Sequence, residues 1–119
     1  TSFFRALAML LRGDDAPLSA LLPRRDGMAS WIDNWRKRID LATIDPIELA
    51  AAMDAVNPLY IPRNHLVEAA LEAAEAGDMG PWRDLLEVVR HPFESRDDWE
   101  VYAQPAPETF GPYTTFCGT

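Results

Sequence analysis

The chain has 119 residues, 48% hydrophobic and 25% charged, enough for one core and short for two. Eleven Lys and Arg against 19 Asp and Glu give a net charge of −8, and residues 44–119 hold four of the basic and 14 of the acidic ones. That balance excludes a nucleic-acid partner, since the acidic stretch would repel phosphates. The single cysteine excludes an intrachain disulfide, and no signal peptide or apolar run of spanning length is present. The default that follows is a cytoplasmic protein without membrane association.

Taken in order, Phe3, Phe4, Leu7, Leu10 and Leu11 recur at helical spacing, and Gly13 stands where a helix would stop. Residues 14–27 hold two prolines and predict a loop with one short helical turn at Leu18–Leu22. From Met28 to Leu41 the positions Trp31, Ile32, Trp35 and Ile39 predict a helix that buries both tryptophans. Asp45-Pro46-Ile47-Glu48 is a strong helix start, with Asp45 as cap, Pro46 where its missing N–H is harmless and Glu48 placed to close a capping box. The helix it opens is expected to bury Ile47, Leu49, Ala50, Met53 and Val56 and to end at Asn57-Pro58.

Asn57-Pro58-Leu59-Tyr60-Ile61-Pro62-Arg63-Asn64 packs four hydrogen-bonding side chains and two prolines into eight residues. Asn57, Tyr60, Arg63 and Asn64 are therefore candidates for docking a partner surface, or for holding a phosphate at the start of the next helix. They serve equally well as turn and cap residues, with Tyr60 filling a gap and Arg63 meeting a carboxylate. A helix from Pro62 or Arg63 to Ala76 follows, with a stripe of alanines. Gly77 and Asp78 fit a C-terminal cap and the next N-cap, which makes a hairpin with a helix from Met79 to Arg90 carrying Trp82, Leu85, Leu86 and Val89. Beyond Pro92 the chain is proline-marked, yet it holds six of the 12 aromatic residues. A disordered tail is poor in aromatics, so this one is expected to lie extended over a surface.

The fold class expected is all-α, a single domain of about five helices with a core over 28–92 and a tail over 93–119. His65 with Glu68 at i+3 falls short of the three or four ligands a transition metal needs. Asp97-Asp98-Trp99-Glu100 lacks the pattern of a calcium loop. No glycine-rich phosphate loop, kinase-type metal pair or Ser/His/Asp arrangement can be read. No catalytic, cofactor-binding or metal-binding residue is therefore assigned.

Asn-Pro-x-Tyr-x-x-Arg-Asn, the alanine-rich helix, Gly77-Asp78, Leu85-Leu86-Glu87-Val88, Pro92-Phe93 and a cysteine third from the end together resemble the C-terminal region of the selenoprotein O family, also called YdiU or UPF0061. With Thr1 rather than Met at its start, the chain is expected to be the C-terminal fragment of a longer protein. The resemblance implies a parent with a kinase-like fold that uses ATP and Mg to transfer AMP to Ser, Thr or Tyr hydroxyls of protein substrates. In that parent this stretch would be non-catalytic, packing against or regulating the upstream kinase-like domain. It also marks Cys117 as a candidate redox position, although Gly118 and Thr119 replace the family's usual serine pair. The alternative is an acidic helical interaction module with no enzymatic parent.

Overall fold

A computed structural model describes residues 1–22, 27–39 and 43–111. Among them every regular element is helical: α1 Ser2–Leu11, α2 Ala16–Leu21, α3 Met28–Arg38, α4 Pro46–Val56, α5 Asn64–Glu75, α6 Gly80–Arg90 and α7 Glu100–Ala103, with 3₁₀ turns at Asp97–Trp99 and Glu108–Phe110. The all-α class holds, with short helices at 16–21 and 100–103 beyond the five expected. None of the described helices is long and apolar enough to cross a membrane. The chain divides into two compact units, Thr1–Pro58 and Leu59–Thr119.

In the first unit α1 packs on α4 and α2 around Ala6, Leu7 and Leu18, with Phe3, Leu10, Ile32, Trp35 and Met53 packed against them. The turn after α1 is a Schellman motif. Gly13 takes φ +92, its N–H donates to Leu10 O and the Asp14 N–H to Met9 O, satisfying carbonyls that the helix end would leave unpaired. Asp45 caps α4 as expected, its Oδ1 accepting from the N–H of Ile47 at 2.7 Å and of Glu48 at 3.2 Å.

The buried face of α4 is narrower than its apolar pattern. Ala50 is fully buried, whereas Ile47 is 56% and Val56 74% exposed. The face is centred between Ala50 and Met53, and at about 100° per residue Ile47 and Val56 fall on opposite flanks of it. On the Ile47 flank Asp54 pairs with Arg12 at 2.7 Å and with Arg5 at 3.6 Å, so ions close that side of α4. The expectation that α3 buries two tryptophans is likewise corrected. No residue of α3 is fully buried: Ile32 and Trp35 are half-buried against the core, and Trp31 lies at the edge, 42% exposed, stacked on Trp35 with ring centroids 6.3 Å apart.

In the second unit α5 packs on α6 through a second Schellman turn. Gly77 has φ +92, its N–H donates to Ala74 O and that of Asp78 to Ala73 O. Asp78 then accepts the Gly80 N–H at 2.8 Å, one position before the residue that bounds α6. Ala70, Leu85 and Val88 are buried, but Trp82 is 38% exposed. The inward face of α6 is thus turned from the one its bulkiest residues would mark. Tyr60, Val88 and Trp99 form the core.

The segment after α6 is less extended than expected. Through the turn at 97–99 and α7 it folds back to bury Trp99 and half-bury Tyr102, and the Phe110 ring meets His65 edge-on at 5.8 Å. Trp99, Tyr102 and Phe110 thus find partners within their own unit, while Phe93 stays 47% exposed.

Candidate functional site

The boundary between the units falls inside the loop singled out in the sequence, between Pro58 and Leu59. Asn57 belongs to the first unit. Its Nδ2 donates to Met53 O at 2.8 Å, its N–H donates to the same oxygen at 3.1 Å, and its carbonyl accepts from Arg5 Nη1 at 2.9 Å. A proline at 58 forbids continuation of α4, and the asparagine side chain closes the end that results.

Leu59 to Asn64 belong to the second unit. The N–H groups of Leu59 and Tyr60 both donate to Pro92 O, at 2.7 and 3.2 Å. Tyr60 is 2% exposed, edge-on to Trp99 at 5.7 Å, and its hydroxyl accepts the Arg96 N–H at 3.4 Å. Arg96 lies over the Trp99 ring at 4.0 Å, which adds a cation–π contact on the outer side of the same indole. Arg63 Nη2 donates to Ala103 O at 2.9 Å, at the end of α7. Asn64 opens α5 and is exposed. Tyr60 and Arg63 are thus brought together by one task, holding residues 92–103 against the start of α5, while Asn57 performs another in the first unit.

Burial, with the Asp84 carboxylate as a second cause, raises the Tyr102 hydroxyl above its ordinary 10.0, so the phenol is held protonated. His91 Nδ1 lies 3.0 Å from Glu87 O and 3.4 Å from Glu87 Oε1, and its ring leans on Trp99. Among the described residues no three of His, Cys, Asp and Glu converge as metal ligands. Cys117 lies outside the described residues.

A surface feature that the sequence reading missed lies on the α5–α6 hairpin. Pro62, Val67, Trp82, Leu85, Leu86 and Val89 line a hollow of about 250 Å³. Its signal was present as Trp82, Leu86 and Val89 at i, i+4 and i+7, read instead as contacts to α5. A second hollow of about 340 Å³, lined by Arg63, Asn64, His65 and Phe110 among others, opens at the start of α5.

The whole chain matches curated proteins named protein nucleotidyltransferase YdiU. The one from Sphingopyxis alaskensis is 66% identical over 119 residues, which is 100% of this chain and 24% of that protein. The one from Mycobacterium sp. strain KMS is 53% identical, again over 100% of this chain and 23% of that protein. The one from Rhodococcus jostii is 50% identical over 120 residues. The chain therefore spans about a quarter of the length of these relatives. No protein-family model matches it, and no solved structure does.

Proposed function

From the premise that this chain belongs along its whole length to the YdiU family of protein nucleotidyltransferases, of which it is a fragment, we propose that its parent transfers AMP from Mg-ATP to protein Ser, Thr or Tyr hydroxyls. The observation that carries the reading is the 66% identity over the complete chain to a protein nucleotidyltransferase roughly four times as long. The finer statement, AMP and a kinase-like catalytic domain, rests on the resemblance to the selenoprotein O proteins in the motifs from Asn57 to Phe93.

Within that parent this stretch is non-catalytic and packs against the kinase-like domain. Two things support the non-catalytic part of this reading, and the packing rests on the resemblance. The sequence holds no phosphate-cradling glycine loop and no metal-binding pair in a kinase context. Tyr60 and Arg63, which could have faced a nucleotide, are bonded to the chain's own residues 96 and 103. The cytoplasm is kept as the parent's location and Cys117 as a redox position, the latter on the resemblance alone.

The test is incorporation of labelled AMP by the full-length protein with Mg-ATP, followed by mass spectrometry of the modified side chains. Modified Ser, Thr or Tyr is expected, and none from the 119-residue chain alone. Micromolar Mg-ATP affinity of this chain in calorimetry would overturn its non-catalytic role. A full-length protein that transfers no nucleotide would favour the acidic interaction module instead.

A further inference from the structure

The α5–α6 hairpin has two broad faces. Tyr60, Val88 and Trp99 close one of them. On the other, Pro62 and Val67 line a hollow with Trp82, Leu86 and Val89 of α6, and Leu71, four positions on from Val67, is 43% exposed. Trp82 is 38% exposed, so among the described residues of its own unit the hollow stays open.

The size and lining of this hollow decide what it can take. About 250 Å³ is below the 300–1,000 Å³ or so of a usual small-molecule site, and the lining offers no convergent polar groups to orient a ligand. A groove between two packed helices, floored by aliphatic side chains and one indole, takes the side-chain ridge of a third helix.

The rims add a second constraint. Counted from Val67, Glu68, Glu75 and Glu72 fall at about 80–140° around α5, and counted from Trp82, Arg83, Arg90 and Glu87 fall at the same offsets around α6. The two helices run antiparallel, so these offsets carry the charges to opposite outer edges, acidic along α5 and, with two arginines against one glutamate, basic on balance along α6.

We propose that this groove seats an amphipathic helix from the part of the full-length protein outside these 119 residues, apolar on its inner ridge, basic on the flank over α5 and acidic on the flank over α6. The inference rests on the reading that the chain is a piece of a longer protein, and the relatives of which it spans 24% and 23% supply the missing length. A helix laid there would bury the Trp82, Leu86 and Val89 surface and close the hairpin into a three-helix layer.

The experiment uses the full-length protein with Trp82→benzoylphenylalanine, irradiated and mapped by mass spectrometry. The expected product is a monomer cross-linked to a peptide outside residues 1–119, from a segment with that charge pattern. A product of doubled mass would assign the groove to a second copy, and a cross-link within residues 1–119 would assign it to the chain itself. Either overturns the proposal. Should the variant fail to fold, hydroxyl-radical footprinting of the unmodified full-length protein, with its mass read by sedimentation, tests whether the groove is covered in a monomer. Trp82 is expected to oxidise at least about tenfold more slowly than in guanidinium, whereas its present exposure of 38% would give about threefold, and that result overturns the proposal. Nucleotide transfer is scored separately. A protein that transfers AMP with Trp82 open loses this inference alone, and one that shields Trp82 but transfers nothing loses only the assigned activity.

Discussion

At Tyr102 burial and the Asp84 carboxylate act in the same direction, both favouring the neutral phenol. A tyrosine whose folded-state value is raised contributes stability that is complete below its unfolded value and is lost as pH rises through the folded one. Unfolding free energy should therefore fall above about pH 10, and Asp84→Asn should lower the Tyr102 midpoint part of the way toward 10.0. Titration of ring-labelled tyrosine by NMR resolves Tyr102 from Tyr60; an unmoved midpoint in Asp84→Asn would remove the carboxylate as a cause. The residue scale also shows where sequence reading stops. Asn57, Tyr60, Arg63 and Asn64 were recognisable as special because their side chains bond and their neighbours are prolines. A loop has no period, however, so nothing in the letters told whether Tyr60 faced a partner or Trp99. That was decided by residues 36 to 40 positions further on, Arg96, Trp99 and Ala103.

Helix ends were the most legible elements, because capping is local. Asp45 accepts both N–H groups its position predicts, and Gly13 and Gly77 end their helices with positive φ. Asp45→Ala should cost about 0.5–2 kcal/mol, the range for losing an N-cap side chain, and a denaturant midpoint equal to the parent's would mean that water replaces Asp45 without loss. Helix faces were less legible. Apolar residues spread over more of α3, α4 and α6 than one neighbour can cover, and long-range packing alone selects Trp35 over Trp31 and Leu85 over Trp82. Trp99, in a segment expected to be extended, is 7% exposed. Trp99→Ala should destabilise by about 3–5 kcal/mol, as for other buried aromatic truncations, and Trp31→Ala by clearly less. Equal losses in urea melts would show that the exposed indole contributes as much as the buried one.

For the whole molecule, fold class was legible and internal division was not. Helical periods and caps recur from Phe3 to Arg90, which establishes all-α, but the two units separate inside a loop whose composition marks it as important without marking it as a boundary. The division at Pro58 and Leu59 also apportions charge. Residues 1–58 hold seven basic and eight acidic side chains, a net of −1, and residues 59–119 hold four and 11, a net of −7. The second unit is in effect a compact polyanion, and self-repulsion of like charges works against its folded form while leaving the first almost untouched. Counter-ions should therefore act on one half of the chain. In native-state hydrogen exchange, raising sodium chloride from about 10 to 500 mM shortens the screening length from about 30 Å to under 5 Å, and amides of α6 should slow while those of α1 hold their rates. Equal slowing in both helices would mean that salt acts through hydrophobic burial instead. If the difference is found, ionic strength becomes a dial that tightens the acidic unit independently of its neighbour.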